Sequence, residues 1–504
     1  MARARTLMLQ GTSSGVGKSL LTAALCRVFA RQGVAVRPFK AQNMALNAAV
    51  TDDGGEIGRA QALQALACGV PATRDMNPIL LKPETDSRAQ VVLRGDAAER
   101  MSAVEYHRAK PTLWPLVAES LDRLRDACDL VMIEGAGSPA EVNLRDRDLV
   151  NMRVARHAGA PVLLVGDIDR GGVFAALLGT LSLLRPAERR HVRAMIVNNF
   201  RGDASLFADG VAFLERRARL PVLGVVPRVE GLRLPEEDSL GLESSFAGNG
   251  SAAAIDVAVI RLPRISNFDD CDALLGEPGV GVRLVDHGDR LGDPDLVVLP
   301  GSKTTRADLD AMRERGLDRA VCAARERGAA VLGICGGFQL LGALVEDGGG
   351  ADQGTPGSAP GLGLLPTVTR MAAAKVVRPV TGTVLACPGL LARAEGAALR
   401  GYEIHTGRTE PSAPPLALQS EGDRWEDGAT SEDGWVVGTH VHGLLDSEAV
   451  RRPLLAAVAA RRGRTWIPGP PVPGVEAELD RLADAVSAAL DMNLLRRIVD
   501  EGVA

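Results

Sequence analysis

Through about the first 230 residues, short apolar runs alternate with longer amphipathic stretches. Thr6–Leu9, Val34–Phe39, Leu130–Ile133, Pro161–Val165, Arg193–Val197 and Pro221–Val226 are short and rich in branched aliphatic residues, which predicts strands. Between them, segments such as Leu20–Ala30 and Leu113–Leu124 repeat apolar positions at helical spacing. Continuous apolar strands separated by helices predict a parallel sheet covered on both faces. Around Leu240–Ala254 large apolar residues give way to Gly, Ser, Asn and Ala, and residues 241–254 read as a linker. The alternation then restarts: Asp256–Ile260, Leu296–Leu299, Ala329–Ile334 and Trp435–Thr439 predict the strands of a second α/β unit. Asp347–Gly363, rich in Gly, Pro and Ser, is expected to be a surface loop. Near the end, Pro-rich Ile467–Gly474 precedes a helical pattern on Leu479, Leu482, Val486 and Leu490, whose apolar stripe is expected to pack on the body. The division that follows is 1–240, the linker, 255–450 and a 451–504 tail, with no internal repeat.

Composition narrows the function classes. The chain has 504 residues, enough for two to four domains at roughly 150 residues each. Its 58 Lys and Arg against 63 Asp and Glu give a net charge of -5, which argues against nucleic acid as a partner. No apolar run approaches the roughly 20 residues a bilayer helix needs; Phe174–Leu184 is broken by Gly179, Thr180 and Ser182. Arg3 and Arg5 are followed by only Leu7-Met8-Leu9 before a glycine-rich stretch, unlike a secretory signal. The seven cysteines include no C-x-x-C pair, so no disulfide framework or zinc ribbon is signalled. A cytoplasmic enzyme is expected.

Candidate chemistry begins at the first strand, which runs into Gly11-Thr12-Ser13-Ser14-Gly15-Val16-Gly17-Lys18-Ser19 and then a helix. In that context a glycine loop curls backbone N–H groups around a polyphosphate at a helix N-terminus. Thr12, Ser13, Ser14, Gly15 and Gly17 would supply the cradle for ATP, Lys18 would reach the β- and γ-phosphates, and Ser19 would bind Mg²⁺. Gly11 stands one residue too early for the usual pattern, and Thr12 takes the first-glycine position. This variant resembles the dethiobiotin-synthetase branch of P-loop proteins, whose synthetases phosphorylate carboxylates. On that resemblance Glu134, at a strand's C-terminal end, is a second Mg²⁺ ligand, Asp53 (or Asp52) completes the shell, and Lys40 meets the transferring phosphoryl group. Asp167, Asp169 and Arg170 end another strand and are assigned to the acceptor substrate.

In the second half, apolar Ala329–Ile334 ends at Cys335, followed by Gly336-Gly337-Phe338-Gln339. A strand turning sharply through glycines into a helix is a nucleophile elbow, and the helix N-terminus favours a thiolate. The later strand offers a base in Gly438-Thr439-His440-Val441-His442-Gly443; His442 is preferred over His440 because Gly443 follows it at the strand end. The stretch Leu299-Pro300-Gly301-Ser302-Lys303 ends another strand, so the N–H of Gly301 is expected to form an oxyanion hole with that of Gly336.

Gly-x-Cys-Gly-Gly-x-Gln with a distant His-Gly strand end resembles the class I glutamine amidotransferases, with a flavodoxin-like fold. Position 444 is Leu where most of that class carry the acid of His-x-Glu, and this absence resembles the cobyrinic/cobyric acid branch. What orients His442 is open, with Glu403 and Asp446 as candidates. Ordered strings including Pro38-Phe39-Lys40-Ala41-Gln42-Asn43-Met44, Asp53-Gly54-Gly55-Glu56-Ile57-Gly58-Arg59, Gly166-Asp167-Ile168-Asp169-Arg170-Gly171-Gly172, Phe200-Arg201-Gly202-Asp203, Ser266-Asn267-Phe268 and Gly401-Tyr402-Glu403-Ile404-His405 resemble the cobyric acid synthase family over nearly the whole chain. That resemblance implies ATP and Mg²⁺ as cofactors and glutamine as nitrogen donor. It implies a corrinoid acceptor, adenosylcobyrinic acid a,c-diamide, whose b, d, e and g carboxylates are amidated through acyl phosphates. Three alternatives stand beside it: cobyrinic acid a,c-diamide synthase, CTP synthetase, and a partition-type P-loop switch with no use for Cys335. Oligomeric state is not legible.

Overall fold

The computed structural model describes residues 3–85, 87–235, 253–471 and 473–503. The expected linker lies outside the described residues except for positions 253 and 254. Two compact units emerge, one of Met1–Ala45, Thr51–Pro235 and Pro473–Ala504, the other of Leu46–Val50 and Glu236–Val472.

The first unit is built on six strands, β1 (Arg5–Gly11), β2 (Val36–Phe39), β3 (Leu130–Glu134), β4 (Val162–Asp167), β5 (Val192–Phe200) and β6 (Val222–Pro227). They pair in the order β6-β5-β4-β1-β3-β2, all parallel. Each of the six apolar runs in this half overlaps one of these strands, β2 starting two residues, and β4 and β6 one residue, after the run does. Burial explains the lack of alternation in them: Leu7, Met8 and Leu9 are all inaccessible. Leu7 and Leu9 join the core under helix α1 (Lys18–Arg31), and Met8 joins the core on the opposite face. β1 lies between β3 and β4, so the loops leaving these three strands share the C-terminal edge where open α/β sheets bind ligands.

Two features were not legible beforehand. A four-stranded sheet forms from Gln42–Met44, Ile79–Pro83, Arg88–Leu93 and Asp96–Ser102, the last strand being mostly solvent-facing. The helix Ala103–Asp126 extends ten residues ahead of the expected Leu113–Leu124 despite Pro111 and Pro115 in its interior. A capping box starts it, with Glu105 N–H donating to Ser102 Oγ (3.2 Å) and Ser102 N–H to Glu105 Oε2 (2.7 Å). Pro111 cannot donate to the His107 carbonyl, which accepts from Arg147 Nη1 at 2.9 Å instead.

The tail divides. Helix Glu448–Arg461 and Trp466 belong to the core of the second unit, whereas the helix Val475–Ala489 belongs to the first. Its Leu479, Leu482 and Val486 enter the core beneath α1, and Arg27 forks onto Asp480 at 2.8 and 3.0 Å.

The second unit contains β7 (Ile255–Ile260), β8 (Val280–Val285), β9 (Leu296–Leu299), β10 (Ala330–Ile334), β11 (Val368–Val384), β12 (Ala398–Thr409), β13 (Val436–Thr439) and β14 (Val441–His442). Parallel strands run β8-β7-β9-β10-β13, the flavodoxin-like order. A second sheet is built on the antiparallel β11–β12 hairpin, with β14 on the other edge of β12. The chain leaves the parallel sheet at Thr439 and joins the second at Val441, which puts both histidines at the junction. The expected loop at 347–363 is partly a hairpin, Leu344–Asp347 pairing antiparallel with Gly357–Pro360. Among the described residues no helix is long and apolar enough to cross a membrane.

Candidate functional site

At the end of β1 the chain turns too tightly for side chains. A Cβ on Gly11 would stand 2.6 Å from Val16 Cγ2 and 2.8 Å from Lys18 Nζ, which accounts for a glycine outside the usual spacing. Gly15 and Gly17 have φ of 71° and 89°, in the left-handed region that glycine tolerates. Thr12 N–H donates to Val165 O at 2.9 Å, tying the loop to β4. Ser13 accepts on its carbonyl from Lys18 Nζ at 2.9 Å, and Gly137 O accepts from the same ammonium at 3.2 Å. Ser14 lies exposed on the outer curve. The Asn198 side chain, not singled out beforehand, fills the space beside Gly17 and donates to Val16 O at 2.9 Å.

Below the loop, Ser19 Oγ donates to Glu134 Oε1 (2.8 Å), Lys40 Nζ contacts the same oxygen (2.9 Å), and Gln64 Nε2 donates to Oε2 (2.6 Å). Burial alone would raise the Glu134 carboxyl; the Lys40 charge and hydrogen bonds from Gln64, Lys40 and Ser19 outweigh it and hold the group below the usual carboxylate range. A buried carboxylate and a hydroxyl side by side at a phosphate loop are the hard oxygen donors Mg²⁺ takes. Gln10 Oε1 and Gln64 Oε1, both buried without a hydrogen-bond partner, mark this region as polar beyond what the chain itself satisfies.

Other expected residues take different places. Asp53 sits in the Thr51–Gly55 turn, where Thr51 Oγ1 donates to it at 2.5 Å and Arg74 approaches at 3.8 Å. The expected third carboxylate thus sits with Thr51 and Arg74, apart from the Ser19–Glu134 hydrogen bond. Asp169 is engaged by Arg201 (2.7 and 3.0 Å) and Arg228 (3.1 Å), and this pairing holds it ionised below its ordinary range. Asp167 accepts from Asp169 N–H at 2.9 Å and faces Arg170 Nε at 3.6 Å. Arg170 itself lies against the phosphate loop: a Cβ on Gly15 would be 3.0 Å from its Nη2. Its charge is therefore placed toward the phosphate loop, where sequence reasoning had grouped it with the acceptor.

In the second unit Cys335 follows β10 with φ 52° and ψ −109°, a strained backbone for a non-glycine residue. Cys335 N–H donates to Thr439 O at 2.7 Å, pinning the turn to β13. Gly336 would clash with Ser302 if it bore a Cβ (2.5 Å to the amide nitrogen), and Gly337 would overlap the Leu299 carbonyl. The glycines thus let the elbow press on the loop holding Gly301 and Ser302. Asp308 fixes that loop, accepting from Ser302 Oγ at 2.6 Å and Arg264 N–H at 3.1 Å.

The thiol is hydrogen-bonded to His442. Gly301 abuts the same ring, its Cβ position 3.3 Å from Cε1, and Tyr402 stacks on the imidazole at 5.1 Å. His442 Nδ1 meets Asp270 Oδ2 at 2.7 Å, and Gly443 N–H donates to Asp270 Oδ1 at 2.7 Å. Asp270 therefore orients His442 at Nδ1, the place for which Glu403 and Asp446 were candidates; Glu403 binds Arg378 instead. The turn carrying Asp270 is braced by the early segment of this unit, with Ala48 N–H donating to Asn267 Oδ1 (3.1 Å) and Phe268 N–H to Asn47 Oδ1 (3.4 Å).

Burial alone would lower the His442 imidazole; the Asp270 charge, the Cys335 thiolate and the hydrogen bonds the ring donates to both push it up to about 10. Burial would likewise raise the Cys335 thiol, but His442, then His440 and the Gly336 amide, carry it below its ordinary value. Both shifts favour a thiolate–imidazolium pair. His440 points elsewhere, its Nδ1 on Asp427 Oδ1 at 2.9 Å and its ring edge-on to Phe338.

Residues 7–241 match the CobQ/CobB/MinD/ParA nucleotide-binding domain, and residues 256–450 the CobB/CobQ-like glutamine amidotransferase domain. A cobyric acid synthase of Sorangium cellulosum is 53% identical, with 98% of this chain and 99% of that protein aligned. The chain belongs to the cobyric acid synthase family. Further cobyric acid synthases, from Paracoccus denitrificans (49% identical, 97% of this chain and 98% of the relative) and Citrobacter koseri (45%, 99% of each), match over similar lengths. As a member of the cobyric acid synthases the chain joins a P-loop nucleotide-binding unit to a glutamine amidotransferase unit, the organisation of a glutamine-dependent amide-forming ligase.

Proposed function

We propose that the chain amidates the b, d, e and g carboxylates of adenosylcobyrinic acid a,c-diamide, using ATP and glutamine, to give adenosylcobyric acid. The observation that carries the nitrogen-donating half is the Cys335–His442–Asp270 alignment. The thiolate attacks the glutamine side-chain carbonyl, and the N–H groups of Gly336 and the Gly301–Ser302 loop receive the oxyanion. His442 protonates the departing ammonia and then activates water to release glutamate.

In the other half, an acceptor carboxylate oxygen bonds to the γ-phosphorus of ATP as the bond to ADP breaks. Ammonia then displaces phosphate from the acyl carbon. Lys18 and Arg170 would neutralise the phosphate charge, and Thr12, Ser13, Ser14, Gly15 and Gly17 would cradle it with backbone N–H groups. Lys40, paired with Glu134, would hold the transferring group. Ser19 and Glu134 would hold Mg²⁺, which supplies charge neutralisation at the phosphates.

Product mass analysis with glutamine, ATP-Mg²⁺ and the corrinoid diamide tests the proposal. Four carboxylates becoming amides is the expected result. Inactivity on the diamide with conversion of the undiamidated corrinoid would assign the sister activity.

A further inference from the structure

Beside the nucleophile, and outside the route above, lies a second group of buried side chains: Glu403 and His405 on β12, and His440 between β13 and β14. Two residues apart on one strand, Glu403 and His405 leave the same face. One carboxylate oxygen and one nitrogen from each imidazole lie within 4.8 Å of one another.

Hydrogen bonding fixes which nitrogens face the cluster. His405 Nδ1 is 2.6 Å from Gly407 O, which can only accept, so that nitrogen carries the proton and Nε2 keeps its lone pair. His440 Nδ1 meets Asp427 Oδ1 at 2.9 Å, and its Nε2 is left with Thr409 Oγ1 at 3.5 Å. His405 Nε2 is buried with no hydrogen-bond partner, its approach to Glu403 Oε1 being 3.8 Å. The other Glu403 oxygen accepts from Arg378 Nε at 2.5 Å. Imidazoles backed at Nδ1 by a carboxylate and a carbonyl, with the Nε2 of His405 unpartnered and that of His440 held only by a 3.5 Å contact to Thr409 Oγ1, reproduce the outer arrangement of metal-ligating histidines. The His₂Glu donor set with a fourth position open suits a zinc-class cation, and Mg²⁺ or Ca²⁺ poorly. The two rings stack at 4.1 Å and 21°. A tetrahedral ion with bonds of about 2.0–2.1 Å needs the two Nε2 atoms about 3.3 Å apart, so the stacked rings must turn for both in-plane lone pairs to reach it.

We propose that Glu403, His405 and His440 form a binding site for a zinc-class divalent cation, distinct from the Cys335–His442–Asp270 alignment. Ile404, between two of the ligands, accepts the Cys335 thiol at 3.4 Å. The ion's charge lies one residue from that carbonyl, so occupancy is expected to perturb glutamine hydrolysis and to spare ammonium-supported synthesis. This consequence rests on the function proposed above; binding itself does not.

The test titrates the metal-stripped full-length protein with Zn²⁺ against a chromophoric chelator and with Co²⁺ followed by its visible absorption, with circular dichroism on every variant. One equivalent is expected for the unaltered chain and for Cys335→Ala, with affinity at least tenfold weaker in His405→Gln and Glu403→Gln. If one of those two variants does not fold, the other decides. Absence of binding by the unaltered chain, binding that survives a folded ligand variant, or loss of binding in Cys335→Ala, which would place the ion on the nucleophile, each overturns the site. Glutaminase measured without metal stands apart from all of these outcomes.

Discussion

At the scale of single residues, Cys335 and His442 were legible because their environment is local: a strand, a sharp turn, glycines. Asp270 was not, since it stands 172 positions from the imidazole it orients, within a run of three consecutive residues Asp269, Asp270 and Cys271 that carries no spacing signal. Gln64 and Asn198 were missed for the same reason, each reaching its site from an otherwise ordinary helix or strand. Cys335→Ala is expected to abolish glutamine-supported synthesis while high ammonium still supports it, as product formation with either nitrogen source will tell. Asp270→Asn keeps the shape and removes the charge. Loss of such an orienting carboxylate lowers turnover by roughly 10²–10⁴-fold. Its pH profile is more diagnostic than its rate. In the unaltered protein the ion pair exists above the depressed thiol value and below about 10, where His442 loses its proton. Removing Asp270 lowers the imidazole and so weakens its hold on the thiolate, moving the alkaline limb down and the acid limb up. A glutaminase profile that only drops in height would reduce Asp270 to packing.

Elements differ in how well they announce themselves. The parallel strands of both units are buried on two faces and read as unbroken apolar runs. The small sheet over residues 42–102 and the β11–β12 hairpin have one face in water, short or mixed patterns and charged edges, so neither period 2 nor period 3.6 dominates. Around the phosphate loop the backbone is specified more tightly than the side chains. Gly17→Ala forces a methyl onto Asn198 at a φ of 89°, costing about 1–2 kcal/mol for the backbone alone; calorimetry with a non-hydrolysable ATP analogue is expected to show nucleotide binding lost. For the helix Val475–Ala489, Leu482→Ala opens a hole under α1 and should destabilise the first unit by about 2–5 kcal/mol, read from the urea midpoint. An unshifted midpoint would mean the helix is not docked there.

For the whole molecule, the two chemistries occupy separately built units, and single substitutions should separate them. Lys18→Ala is expected to remove synthesis from both glutamine and ammonium, because in the proposed reaction activation of the acid precedes attack by either nitrogen source. Its effect would be the complement of Cys335→Ala, and synthesis from ammonium in a Lys18→Ala protein would refute the assignment of the phosphate loop. The succession of two α/β units was plain from the alternating pattern. What the pattern concealed was ownership of the tail, because an amphipathic stripe states that a face is buried without naming the surface that buries it.

Ownership of the tail has a consequence during synthesis. The first unit takes its last helices from residues 473 onward, after the second unit in the chain. A ribosome exposes residues up to 235 of that unit first, yet α1 keeps an uncovered apolar flank until the residues after 473 emerge. The amidotransferase half, made later, has its full complement of residues sooner. Premature stop codons or proteolytic clipping just after residue 473 should therefore injure nucleotide handling first.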